Sequence, residues 1–116
     1  MHLSKALPTS TLTKFSLSYN SFGDDGLECL CQSLQNNTNL RYLNLCSNSI
    51  WTEGANYLAQ LLLNNSTITS INLDKNVIGS KGSKYLGQAL KSNSSITFIS
   101  LDCNVIGDEG VKYLSE

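Results

Sequence analysis

Four cysteines and a single histidine are the chain's candidates for metal or thiol chemistry, and their spacing argues against both. Cys29 and Cys31 lie two apart, Cys46 and Cys103 stand alone, and the histidine is His2. A zinc site needs four converging donors, and a redox dithiol needs a C-x-x-C pair; neither pattern is present. Residues two apart on a helix point in different directions, so Cys29 and Cys31 do not converge. The four are expected as reduced thiols that pack or sit near the surface. Asp74 and Asp102, 28 apart, could share a calcium ion or act as paired carboxylates; solvated loop acids are the plainer reading. No histidine neighbours a nucleophile, no glycine-rich phosphate loop is present, and Arg41 is the only arginine. The chain is therefore read as having no catalytic residue, no cofactor and no metal. Sequons at Asn36, Asn64, Asn65 and Asn93 would matter only in a secreted protein. They are read as Asn- and Ser-rich turns.

The elements that hold these residues repeat. Ile96–Leu114 (ITFISLDCNVIGDEGVKYL) matches Ile68–Leu86 (ITSINLDKNVIGSKGSKYL) at 13 of 19 positions. Looser copies begin at Leu40 and Leu12, so the starts fall at 12, 40, 68 and 96 with a constant period of 28. A fixed period of roughly 20–50 residues marks a stacked array, in which each unit buries its apolar face only against its neighbours. One domain over residues 1–116 is expected: the tail of a preceding repeat at 1–11, full repeats at 12–39, 40–67 and 68–95, and a truncated one at 96–116. Neither end has a polar cap, which suggests a piece of a longer array or a chain that associates end to end.

Composition fits this reading. The chain has 116 residues, 41% hydrophobic and 15% charged, with a net charge of −1. Asn, Ser and Thr supply the polar surface. With no block of like charges, neither nucleic acid nor an anionic membrane surface is an expected partner. The opening residues lack the apolar core of a secretory signal, and no apolar run approaches the ~20 residues of a membrane span. A cytoplasmic protein is expected.

Each repeat opens apolar-x-x-apolar-x-apolar: Leu12/Phe15/Leu17, Leu40/Leu43/Leu45, Ile68/Ile71/Leu73 and Ile96/Ile99/Leu101. Alternation at the last two positions predicts a short strand with one buried face. Asn20, Asn48, Asn76 and Asn104 follow three residues later. An Asn side chain carries donors and an acceptor, so four at one level can satisfy the turn backbone as a buried ladder. Next come Gly23, Gly79 and Gly107, with Trp51 in the second repeat, where the bend calls for positive φ. Asp24, Thr52, Ser80 and Asp108 are then expected as helix N-caps. A second glycine, at 26, 54, 82 and 110, is expected to let neighbouring repeats approach. Apolar or small residues at i, i+3, i+4 and i+7 (Ala55, Leu58, Ala59, Leu62) predict an amphipathic helix packed inward, flanked by Tyr57, Tyr85 and Tyr113.

With the pattern L-x-x-L-x-L-x-x-N-x-I on the page, as in LRYLNLCSNSI, the chain resembles the leucine-rich-repeat family. The 28-residue period and the helix opening N-x-I-G-D-E-G are similar to the ribonuclease-inhibitor-like subfamily, which includes NOD-like-receptor sensor arrays and Ran GTPase-activating proteins. The resemblance spans essentially the whole chain and implies an α/β solenoid, a right-handed horseshoe segment. Its parallel sheet would line the concave side and its helices the convex side. It also implies that a protein partner binds the concave face and ascending loops; with no convergent catalytic set among the residues, a non-enzymatic interaction module is expected.

On that face, the strand positions between buried ones are Lys14/Ser16, Tyr42/Asn44, Ser70/Asn72 and Phe98/Ser100. Tyr42 and Phe98, two rungs apart, would lie roughly 10 Å from each other. Exposed aromatics on a polar floor suit interface anchors. The candidate partner-binding set is Tyr42, Phe98, Asn44, Asn72, Arg41, Trp51, Asp74 and Lys75. Two alternatives stand beside it: a GTPase activator of the Ran type, and a structural or sensor segment with no ligand of its own.

Overall fold

The computed structural model describes residues 13–21 and 23–115, and of residues 113 and 115 the backbone alone. The expected tail at residues 1–11, and the repeat positions Leu12 and Phe22, lie outside the described residues. Strands and helices alternate: β1 (Lys14–Ser16), α1 (Gly23–Leu34), β2 (Tyr42–Asn44), α2 (Thr52–Asn64), β3 (Ser70–Asn72), α3 (Gly79–Ser92), β4 (Phe98–Ser100) and α4 (Gly107–Ser115). The strands form one parallel sheet in chain order, with each helix returning the chain to the start of the next strand. Parallel neighbours need such a crossover.

The 28-residue period becomes the sheet register. Lys14, Tyr42, Ser70 and Phe98 are successive partners across the sheet, as are Ser16, Asn44, Asn72 and Ser100. Between these rows, Leu43 and Ile71 point inward and are fully buried, together with Leu45, Leu73, Ile50 and Ile78. Leu58, Leu62 and Leu86 from the helices close the same core. In the fourth rung the corresponding Ile96, Ile99 and Leu101 are only partly buried, as are Phe15 and Leu17 in the first.

Two columns of asparagine tie the rungs together. Asn48 Oδ1 accepts the Asn20 N–H (3.0 Å), and Asn76 Oδ1 accepts the N–H groups of Asn48 (2.9 Å) and Ile50 (3.0 Å). Asn104 Oδ1 accepts the Ile78 N–H (3.3 Å). The Nδ2 groups of Asn48, Asn76 and Asn104 donate back to the Leu17, Leu45 and Leu73 carbonyls of the preceding rung. At the other end of the helices, Asn65 Oδ1 accepts from Thr67 and Ile68, and Asn93 Oδ1 from Ser95 and Ile96. Asn93 Nδ2 reaches Leu62 O and Asn65 O, and Asn37 Oδ1 accepts from Asn39 and Leu40. Asn65 and Asn93 are therefore working parts of the turns, whereas Asn36 and Asn64 are exposed.

The N-cap expectation is corrected. Helices start at Gly23, Thr52, Gly79 and Gly107, so Asp24, Ser80 and Asp108 sit inside the first turn. Trp51 and Ile78 precede α2 and α3 without a side-chain cap. The glycines at φ +68 to +70 make the bend by backbone alone, and the Gly79 N–H goes to Asn104 O of the next rung (3.0 Å). Asp24 also reaches sideways, accepting the Trp51 N–H at 2.8 Å. Trp51 itself, at φ −106, makes the bend without a positive φ. The second glycine is needed for contact: a Cβ on Gly82 would lie 2.7 Å from Ile78 Cγ2 and 3.1 Å from Ala55 Cβ in the preceding rung.

Candidate protein-binding face

The sheet presents two rows to solvent. One runs Lys14–Tyr42–Ser70–Phe98 and the other Ser16–Asn44–Asn72–Ser100. Strand pleat sets this arrangement, since residues flanking a buried one point to the opposite face. Phe98 is 57% exposed, while Tyr42, flanked by a strand on each side, is half-buried. Asn44 and Asn72 each use Oδ1 to hold the backbone N–H two residues on, at Cys46 (3.1 Å) and Asp74 (2.9 Å). Their amide NH₂ groups stay on the face.

Ser100 is too short to make that bond, and the preceding rung supplies it. Asp74 Oδ1 accepts the Asp102 N–H at 2.8 Å and also the Ser100 hydroxyl. Asp74 and Asp102 are thus neighbours, but Oδ1 of Asp74 is taken by the Asp102 N–H and the Ser100 hydroxyl. Among the described residues no group of three or more His, Cys, Asp or Glu side chains could hold a metal ion.

The remaining candidates fall on different edges. Arg41 precedes β2, at the N-terminal edge of the sheet, and its Nη1 donates to Thr38 O at 3.3 Å. Asp74 and Lys75 follow β3, at the opposite edge, and Trp51 lies farther round, at the start of α2. Lys14 and Arg41 therefore make one corner of the face basic, and Asp74, Lys75 and Asp102 make the diagonal corner mixed in charge. Ser, Thr, Asn and the aromatic rings lie between.

The cysteines do not assemble. All four are free, with Cys103 exposed and Cys31 buried. Burial pushes the Cys31 thiol up to about 12, so it stays protonated. Grooves run between helices on the other side of the molecule. One of about 100 Å³ is lined by Glu28, Tyr57 and Gln60, and one of about 440 Å³ by Lys81, Lys84 and Tyr85. The Glu28 carboxylate, ahead of Glu53, Asp25 and Asp24, raises the Tyr57 phenol above its usual range.

Sequence reasoning missed the Asn37/Asn65/Asn93 column, although its 28-residue recurrence was the available signal. It also missed the cross-rung roles of Asp24 and Asp74, which no local pattern carries.

A parallel sheet with one strand per rung, backed by a layer of helices and locked by asparagine columns, is an α/β solenoid. The sequence model described as Leucine Rich repeat matches residues 10–31, 36–59, 64–87 and 92–115. The chain belongs to the leucine-rich-repeat family, and its period is consistent with the ribonuclease-inhibitor-like subfamily. Among solved structures it is similar to the leiomodin-1 actin-binding site 2, with a TM-score of 0.86 and 23% identity. It is also similar to the tropomodulin C-terminal domain of Caenorhabditis elegans, with a TM-score of 0.78 and 15% identity. The alignments cover 93% and 89% of this chain and 64% of each of the others, so the chain spans just under two thirds of their length. No curated protein matches the sequence. Among the described residues no helix is long and apolar enough to cross a membrane.

Proposed function

We propose that the chain is a non-enzymatic protein-binding module whose docking surface is the exposed sheet face with its ascending loops. The observation that carries this reading is the shared row of Tyr42 and Phe98, two rungs apart on a polar floor whose one charged strand residue is Lys14. Rigid aromatics lose little entropy on docking and bury a large apolar area, so two of them at fixed separation anchor a partner. Lys14 and Arg41 at one corner, and Asp74 with Lys75 at the other edge, orient it by charge. Trp51 extends the contact toward the helices. Asn44 and Asn72 offer amide donors to a partner backbone.

Actin is the first defined partner to assay, because the leiomodin-1 domain of the same shape is named as an actin-binding site. The GTPase-activator alternative is set aside, because both similar solved structures point instead to the tropomodulin and leiomodin type of repeat domain. A structural segment without a ligand is the alternative the experiment addresses. Binding of labelled actin, or recovery of any stoichiometric partner, is compared between wild type and Tyr42→Ala/Phe98→Ala. A tenfold or greater loss in the double variant supports the face. Unchanged binding, with the fold intact by circular dichroism, defeats it.

A further inference from the structure

The helical side of the molecule carries two grooves built from one set of repeat positions. Between α1 and α2 the groove is about 100 Å³, with Glu28, Gln32 and Gln35 on one wall and Tyr57 and Gln60 on the other. Between α2 and α3 it is about 120 Å³, with Asn56, Gln60 and Leu63 facing Tyr85 and Gln88. The tyrosine and the glutamine beside it recur, and Gln60 belongs to both grooves. The rest changes. Asn56 stands in the place of Glu28, Leu63 in that of Gln35, and buried Ala59 and Ala89 in those of Cys31 and Leu61.

The two grooves therefore suit different side chains. In the first, the Glu28 carboxylate meets no cation among the described residues. Its charge, ahead of those of Glu53, Asp25 and Asp24, falls on the Tyr57 ring. A guanidinium is flat enough to stack on an aromatic face and carries five donors, which suits one carboxylate and the amide oxygens of Gln32 and Gln35. The second groove has no charged residue in its lining, and Leu63 is 55% exposed there beside Ala59 and Ala89. An apolar side chain seated on Leu63 takes that surface out of water.

Spacing selects the form of the ligand. Packed helices lie about 8–10 Å apart, so the two grooves are separated by about that distance. Strand residues three apart span it but point to opposite faces, and residues four apart overshoot at about 13 Å. Helix residues seven apart share a face and lie about 10 Å from each other. We propose that this side docks a helix of a partner protein, with an arginine between α1 and α2 and an apolar residue, two turns away, between α2 and α3. A small residue midway passes over Gln60. The site is on the helical side, away from the sheet face, and does not rest on binding there.

The probe is a dye-labelled, alanine-based helical peptide with one arginine and, two turns later, one leucine. Anisotropy is read as the full chain is titrated in at low salt, and saturable binding in the micromolar to millimolar range is expected. Citrulline in place of the arginine keeps the shape and removes the charge, and is expected to weaken binding about fivefold or more. Glutamine in place of the leucine should weaken it as well. Glu28→Gln and Gln60→Arg, each checked for folding by circular dichroism, are expected to lose binding to a similar extent. Tyr42→Ala/Phe98→Ala should leave it unchanged. Absence of saturable binding, equal affinity for the citrulline or a lysine peptide, or equal affinity in Glu28→Gln overturns the proposal. So does a loss in Tyr42→Ala/Phe98→Ala, which would put the peptide on the sheet face. The peptide comparison uses the unaltered chain, so it decides even where a variant does not fold.

Discussion

The backbone N–H of Asn48 donates to Oδ1 of Asn76 across 2.9 Å, joining two rungs through one buried side chain. The same Oδ1 takes the Ile50 N–H, and Asn76 Nδ2 donates to Leu45 O and Leu73 O. One residue thereby satisfies backbone groups of two repeats in a place water does not enter. Asn76→Ala leaves those groups unpaired, each at about 1–3 kcal/mol, so a loss of ~3 kcal/mol or more is expected in urea unfolding. A loss under ~1 kcal/mol would show the column to be dispensable.

The second column predicts a contrast between adjacent residues. Asn65 is buried and holds the turn into β3, whereas exposed Asn64 makes one bond, to Gln60 O at 3.1 Å. Asn65→Ala is expected to cost about 2 kcal/mol or more, and Asn64→Ala about 0.5 kcal/mol or less. Equal melting temperatures for the two variants would contradict this assignment.

Gly82→Ala tests the close approach of the helices. Alanine is favoured over glycine in a helix by about 1 kcal/mol, so propensity alone predicts stabilisation. The new Cβ would lie 2.7 Å from Ile78 Cγ2 and 3.1 Å from Ala55 Cβ, and overpacking costs about 1–3 kcal/mol. Net destabilisation by thermal melting is expected, since both contacts belong to well-packed core residues. A higher melting temperature than wild type would refute the contact argument.

Leu73 is fully buried between the sheet and helices. Leu73→Ala removes its contacts and leaves a cavity, at about 2–5 kcal/mol. Chemical denaturation showing a loss below ~0.5 kcal/mol would remove Leu73 from the core.

Cys31 makes stability depend on alkaline pH. Its thiol is raised from 9.0 to about 12 in the fold, so the native state holds the proton more tightly than the unfolded chain. The resulting stability is complete below pH 9 and is lost as pH rises from 9 toward 12. Cys31→Ala should flatten that part of the curve relative to wild type. Alkylation should also reach exposed Cys103 first and Cys31 only on unfolding.

The period and the apolar triplets were enough to read the stacking, because translation by 28 residues leaves each rung no other place to bury Leu43 or Ile71. The strand rows followed from the same arithmetic, since side chains alternate across a strand. Turn chemistry was less legible. Asp24, Ser80 and Asp108 look like caps by residue type, yet the positive-φ glycine that opens three of the helices had already set the bend. Asn65 and Asn93 look like any polar turn residue until the next rung places a carbonyl against them.

Sequence by itself therefore determined the repeat, the fold class and which strand residues point outward. Only the tertiary structure decided that Asp74 serves the backbone of the following rung and that Asp24 holds the Trp51 N–H of the next. The physical reason is distance along the chain: local patterning reports on contacts a few residues apart, whereas each of these bonds spans about one full repeat.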